Sequence, residues 1–581
     1  MATETIVSPG ILLQETDKSF AQPGTDPSGM AIIGPTVKGP IEIPTQVRDY
    51  NDYKERFGVT LASASNAYEY FTSLAVKNYF DNGGSSALVV RTVNDADNSW
   101  SYASSSALTN VGGTGTSPFT LETIGKGDLL NSIGPAYSGG GLHSGSKDNF
   151  RWEISNVNTT SGTFTLSIRR GDDTTNAPLV LEQFTNCSLD PLSSNYVARK
   201  VGDQRFVKDA SDSDNVAVNL EGEYPNNSKY VRVSAVNLPT YQYLTSNGGV
   251  NTDGDGTIFS NYLPTAQSGT FDGGNGNNVT NGTPLFSSNI TSTNIQGLGV
   301  ADFADAISIL KNKEEFKFKT LIVPGLNQED HSSTINTIIA NTTSRGDSLF
   351  VVDTVKYGAL TATVKTQAES LDSSYAATYW PWAQVKSVAL NRNVWCPASV
   401  VIPGVYSKND SLAAPWFAPA GLTRGGITNV TKVEKKLSKT LRDDLYTSKV
   451  NPIATFPGQG IVVFGQKTLQ QASSALDRVN VRRLLLDVKD AVGSLAKNVV
   501  FSQNTDATRE KFVKSVTPYL EGLVQSQGLY AFRVKMDGQL NTPDVIDENK
   551  MIGQVFVQPT KTAEFILLDF IITPTGASFT D

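Results

Sequence analysis

The chain is poor in the residues that metal, redox and acid–base chemistry require. Two cysteines, Cys187 and Cys396, and two histidines, His143 and His331, stand in 581 residues. One possible cysteine pair cannot form a disulfide framework, which points to assembly in a reducing compartment. His143 sits in a Gly/Ser loop and His331 beside Glu329-Asp330. Histidines so few and so far apart do not make a metal site, and each reads as an exposed structural residue. Long apolar runs are missing as well: no stretch approaches the roughly 20 apolar residues of a membrane span. Residues 1–10 carry an acidic residue and no apolar core, so a secretion leader is not expected. Nor is there an excess of positive charge. With 48 basic against 56 acidic residues the net charge is −8, which excludes bulk nucleic-acid binding through a concentrated basic surface.

Sequences that resemble chemical motifs fail on inspection. Asn251-x-Asp253-x-Asp255-Gly256 mimics the front of a calcium loop, but Tyr262 occupies the twelfth position, where a bidentate Glu is needed. A solvated turn is the better reading. Gly458-Gln459-Gly460 precedes its strand, where a dinucleotide fingerprint must follow one, and lacks the third glycine. Asp443-Asp444 beside Arg442 falls on a helical stretch, where adjacent carboxylates point apart. No phosphate-binding loop, nucleophile elbow or nucleophile–base–orienter set occurs, so no catalytic residue, metal or cofactor is expected and the chain is not read as an enzyme.

What is present is a mixed α/β and β, multidomain pattern, with 39% hydrophobic residues and 49 glycines. After a turn-rich arm over residues 1–29, Ala31-Ile32-Ile33 and Ala87-Leu88-Val89-Val90 read as buried strands, and Tyr50 to Phe57 and Ala67 to Phe80 as helices. Residues 94–299 turn polar and Gly-rich. A hairpin is legible where Phe150, Trp152, Ile154 and Phe164, Leu166, Ile168 alternate around Thr159-Thr160-Ser161-Gly162. Tyr230 to Val236 is a further strand, and Asn247 to Asn294 reads as a loop excursion. From Val300 the α/β texture resumes. Thr320 to Val323 and Ser348 to Asp353 flank a helix at Thr334 to Ala340, which implies a parallel β-α-β unit; Val400-Val401-Ile402 reads as another strand. The expected organisation is an arm (1–29), a discontinuous α/β domain (30–93 with 300–414), a β-rich surface insertion (94–299) and a C-terminal α+β domain (415–581). In the last, Ile461 to Phe464 leads into a long helix over Thr468 to Val500, followed by a helix at Asp506 to Val524 and a strand at Leu529 to Met536.

Both chain ends offer strands that need partners. Ile6-Val7 and Ile11-Leu12-Leu13 precede a polar linker. At the other end come Val555-Phe556-Val557 and then Phe565, Ile566, Leu567, Leu568, Phe570, Ile571 and Ile572, apolar at both parities over about 25 Å if extended. An unpaired strand of this kind is a template for another chain, so these residues are the candidates for exchange between subunits. Arg478, Arg482 and Lys489 fall within about 40° of one another on the helical wheel. They read either as a rim whose stems cover the apolar seam or as a basic stripe for an acidic partner.

Several segments, in this order, resemble the tail sheath proteins of contractile-tailed bacteriophages. They include Val7-Ser8-Pro9-Gly10-Ile11, Glu223-Tyr224-Pro225-Asn226-Asn227, Pro403-Gly404-Val405-Tyr406, Pro415-Trp416-Phe417-Ala418-Pro419, Phe456-Pro457-Gly458-Gln459-Gly460 and Val479-Asn480-Val481-Arg482-Arg483. The resemblance is densest from Pro403 onward. It implies a virion protein, assembled in the bacterial cytoplasm, that polymerises helically around an inner tail tube between baseplate and tail terminator. It also implies contraction driven by energy stored in assembly, with terminal arms adding strands to neighbouring subunits and Arg478, Arg482 and Lys489 as candidates for the tube-facing surface. No direct nucleic-acid contact or stable membrane insertion is implied. The alternatives are a non-contractile virion protein or a carbohydrate-binding adhesin; the repeats a trimeric fibre would favour are not visible.

Overall fold

The computed structural model describes residues 28–564 except 64–65, 95–99, 128–149, 172, 175, 210–215 and 277–286. Ile6, Val7, Ile11, Leu12 and Leu13, the run Phe565 to Ile572, and His143 lie outside the described residues.

Strands that are apolar at successive positions need cover on both faces, and the central sheet supplies it. Ser28–Gly34 pairs in parallel with Ala87–Arg91 on one side and with Phe318–Ile322 on the other. Leu349–Val352, Ala376–Trp380 and Val450–Phe456 continue the parallel series. Antiparallel Thr45–Val47 and Gly460–Val463 close the ends of this eight-stranded sheet. Successive residues feed opposite layers. Met30, Ile32, Val89, Ile322 and Val351 join one cluster, covered by the helices Tyr50–Phe57, Phe71–Asp81 and Ile402–Leu412. Ala31, Ile33, Val90, Phe350 and Val352 join the other, covered by Gln328–Arg345, Thr361–Glu369 and Lys439–Thr447.

The architecture is thus a mixed α/β multidomain one, with corrections in detail. The central sheet runs through 414/415 and ends at Val463, because Val450, Ile453 and Val463 are fully buried in it. Val400-Val401-Ile402 is not a strand: a turn, Ala398–Val400, leads into the Ile402–Leu412 helix, whose first turn holds Pro403. Gly404 lets that helix close on Phe71–Asp81, since a Cβ there would lie 3.0 Å from the Asn78 carbonyl oxygen. The helix expected from Ala67 begins at Phe71; Asn66–Glu69 is a strand paired with Thr60–Ser63. The helix expected from Thr468 begins at Val479, because Ser474 caps a separate turn, Ala475–Asp477, and the Thr468 amide bonds the Asp477 carbonyl instead.

The insertion forms its own antiparallel seven-stranded sheet around Phe150, Trp152, Phe164, Leu166 and Phe271. Part of Asn247 to Asn294 is not loop at all: Gln267–Asp272 sits inside this sheet, between Phe150–Asn158 and Tyr102–Ser105. Its polar composition hides a strand that buries little beyond Phe271. In the acidic turn the Asp253 carboxylate accepts from the Tyr262 hydroxyl and the Thr257 amide, so the residue at the failed twelfth position supplies the partner. A small hairpin, Arg205–Asp209 with Ala217–Glu221, ties insertion to core: Lys208 donates to Glu42 and Asp305 at 2.5 Å each. His331 is buried rather than exposed, its Nδ1 accepting from the Asn327 amide at 3.1 Å. Cys187 and Cys396 are both free and buried. Among the described residues no group of His, Cys, Asp or Glu could hold a metal ion, and no helix is long and apolar enough to cross a membrane.

One buried charge sets a pH dependence. Asp353 ends the Leu349–Val352 strand; burial lifts its carboxyl to about 7, against the pull of the Ser399 amide and hydroxyl donors. Because the folded value lies above the unfolded one, the folded state holds the proton where the unfolded chain has lost it. Stability therefore falls as pH rises from about 4 to about 7. Glu69, also raised by burial, adds a slope of the same sign. Asp353→Asn keeps an acceptor for the Ser399 amide and turns the second contact round, its Nδ2 donating to the Ser399 hydroxyl; it is expected to remove about one proton of linkage from that window, read as a flatter plot of melting temperature against pH.

Candidate subunit-assembly surface

The C-terminal block is built on two helices, Val479–Lys497 and Asp506–Gln525. Leu484 and Val488 from the first meet Phe512, Val516, Leu520 and Leu523 from the second in a satellite core. A two-stranded ribbon lies on it. Leu529–Lys535 pairs antiparallel with Gln554–Pro559, in a register that sets Phe532 beside Val557 and Val534 beside Val555. These four side chains face the helices. The opposite face is open, with Tyr530 67% and Phe556 53% exposed. Among the described residues the ribbon has no third strand. Among those residues each strand keeps one outer edge unpaired, the arrangement to which an added strand bonds.

Val555, Phe556 and Val557 thus pair within their own chain, which corrects their reading as a strand awaiting an exchanged partner. What they lend to assembly is an edge. The signal missed in the sequence was Leu529–Lys535, whose half-buried alternation makes it their mate.

The point where the chain leaves the ribbon is anchored. The Glu564 carboxylate accepts from Arg478 Nε at 2.7 Å, the Tyr446 hydroxyl at 2.8 Å and Gln466 Nε2 at 3.0 Å. Nothing in the sequence distinguishes Glu564 from any other acidic residue. It is nonetheless the hub that fixes where the apolar run 565–572 begins.

The basic stripe is likewise engaged within the chain. Arg478 is held by Glu564 and Asp477. Arg482 is buried: it donates to Ser374 and stacks on the Tyr375 ring, 4.0 Å from its centroid. Lys489, the exposed member, bonds the Tyr375 hydroxyl at 2.9 Å. Burial alone would raise the Tyr375 phenol, but the Lys489 bond and the Arg482 charge bring it below its ordinary value. Arg482 and Lys489 rivet the helix to the residues that lead into the Ala376–Trp380 core strand, and Arg478 ties its start to Glu564, so Arg478 and Arg482 are not a free surface for a partner. Neighbouring Arg483, also buried, pairs with Asp410 and stacks on Tyr406. Arg482→Glu is expected to lower stability by about 3 kcal/mol or more, since it places an unpaired carboxylate against a carbonyl and a ring face. Lys489→Glu is expected to change it by less than about 0.5 kcal/mol. Thermal melting with hydrogen exchange across Val479–Lys497 checks both.

Residues 295–469 match the phage tail sheath protein central domain, and residues 471–573 the phage tail sheath C-terminal domain. The two meet just past the last core strand. The tail sheath protein of Vibrio phage KVP40 is 39% identical over 191 residues, and that of Enterobacteria phage T4 37% identical over 187. These alignments take in 33% and 32% of this chain, and only 28% of each relative's length. The crystal structure of a sheath tail protein from Listeria innocua superimposes with a TM-score of 0.52 at 9% identity, covering 92% of this chain and 96% of that one, which speaks for the fold alone. By its central and C-terminal domains, the chain belongs to the tail sheath proteins of contractile-tailed bacteriophages.

Proposed function

We propose that the chain is the structural subunit of a contractile tail sheath, polymerising helically around an inner tail tube above a baseplate and below a terminator. The observation that carries this reading is the ribbon, Leu529–Lys535 with Gln554–Pro559, which has a covered face and two open edges. The same chain holds apolar strand candidates at residues 6–13 and 565–572 to place on such edges. Strand addition of this kind is held by backbone bonds. It is also heterologous: arm and edge are different surfaces, so repetition without closure gives a helical polymer.

In this reading residues 1–27 are the exchanged arm, since Ser28 already pairs in the core; the sheet of residues 28–91 and 318–463 is the rigid body of the subunit, and the insertion faces outward. The C-terminal block faces the tube, with Lys489 the one member of the basic stripe left exposed to it. Contraction is the passage from a less stable extended lattice to a more stable short one, with the strand links kept while rigid bodies rotate. The tube is thereby driven through the bacterial envelope without nucleotide hydrolysis.

Negative-stain microscopy of the purified chain is expected to reveal long hollow cylinders. Deleting residues 1–17 is expected to leave melting temperature and circular dichroism unchanged and to abolish the cylinders. Normal polymerisation of that truncation, or a wild-type chain that never grows beyond a small closed complex, would refute the reading.

A further inference from the structure

The two-helix block carries a projecting aromatic at one end and an aromatic cleft at the other. Beyond Lys497 the chain turns back through residues 498–505 before the Thr505-capped helix begins. At the tip of that turn Phe501 is wholly exposed (102%) and Val500 is 60% exposed. Phe501 also has φ +65°, a left-handed conformation that a bulky side chain adopts only at a cost. Backbone bonds lock the turn on both sides: the Val499 amide to Ala496 at 2.9 Å, Ser502 to Val499 at 3.0 Å and Thr505 to Gln503 at 2.9 Å. The ring is therefore held out into solvent by a defined backbone.

The cleft, of about 470 Å³, is lined by Trp416, Phe417, Asn480, Val524, Leu529 and Tyr530. It is built. Trp416 Nε1 donates to the Ser526 carbonyl at 3.0 Å, and Asn480 Nδ2 to the Trp416 carbonyl at 3.1 Å. Asn480 is only 3% exposed, yet its Oδ1 is buried with no hydrogen-bond partner, an arrangement that leaves a desolvated acceptor unpaid by any contact of its own.

We propose that Phe501 of one copy seats in the Trp416–Tyr530 cleft of a second copy, a knob-and-socket contact that joins subunits in addition to strand exchange. The occupant follows from three observations. Asn480 stands at the start of the first helix and Phe501 beyond its end, so helical rise alone separates them by about 26 Å and one chain cannot make the contact with itself. Knob and socket are different surfaces of the same chain, so their union is heterologous and propagates head to tail. The cleft is also continuous with the ribbon through Tyr530 and Thr560, so a ring seated there extends the assembly surface already described. A buried aromatic ringed by aromatics is the usual form of an interface anchor.

The inference rests on the polymer reading, and the experiment separates the two. Phe501→Asp is expected not to lower the melting temperature, since the ring is wholly exposed and Asp tolerates the left-handed backbone better, and to raise the concentration needed for polymerisation at least ten-fold. In a second arm, Phe501→Cys chains are mixed with Tyr530→Cys chains, assembled and oxidised. The native Cys187 and Cys396 are buried, so a disulfide-linked pair of chains is expected from the mixture and not from the Tyr530→Cys chain alone. If wild-type chains polymerise while Phe501→Asp chains do so at the same concentration, or the assembled mixture yields no linked pair, the knob-and-socket contact is overturned and the sheath reading stands. If wild-type chains never polymerise, both fall.

Discussion

Every strand of the parallel core must bury both faces and pair both edges, and the chain is arranged around that requirement. Residues 28–91 cannot meet it alone. They supply Ser28–Gly34 and Ala87–Arg91, but the outer partner of Ser28–Gly34 is Phe318–Ile322, more than 200 residues on. The insertion is tolerated between them because closing a long excursion costs little more than closing a short one, and because it carries a core of its own around Trp152 and Phe164. The terminal ribbon is the exception to the rule. Only its inner face is covered, and among the described residues only its inner edges are paired, so it is one part of the chain whose backbone can bond elsewhere.

How much of this was legible in the sequence depended on whether a residue's role is local. Ala31-Ile32-Ile33 and Thr320 to Val323 are buried at both parities, a pattern few other elements produce, and both are core strands. The Phe150 to Ile168 hairpin announced itself by alternation with a turn between. Val400-Val401-Ile402 shows the limit of that logic: three β-branched residues in a row are as compatible with a buried turn and helix start, and Pro403 with Gly404 decide for the helix. Gln267–Asp272 fails the opposite way. Its Gln, Ser, Gly and Thr carry no apolar pattern, and only neighbouring strands make it one.

The candidate surface was harder to read, because a helical wheel tells which side chains lie together and not what they face. Arg478, Arg482 and Lys489 do share a side, yet that side is turned to Tyr375 and Glu564, residues more than 70 positions away in the chain. A buried cation of this kind is seldom a strong stabiliser in net terms, since desolvation offsets most of the pairing. Its effect is geometric. Arg482 and Arg483 set one angle between the helix and the core sheet, and a wrong angle leaves a charge unpaired.

That geometric fixing bears on how the contracting lattice proposed above would stay whole. Strand pairing is tolerant of side chains and can be reached through a linker, so it suits the joints between subunits that must move. The rivets do the reverse: Glu564 bound to Arg478, Tyr446 and Gln466 makes the root of the C-terminal run part of the rigid body. If the root were loose, rotation of a subunit would be absorbed by slack at its own surface and would not be passed on. In the proposed lattice, with the root fixed, an exchanged run reaching at most about 3.3 Å per residue would pass any larger rotation on to the neighbour.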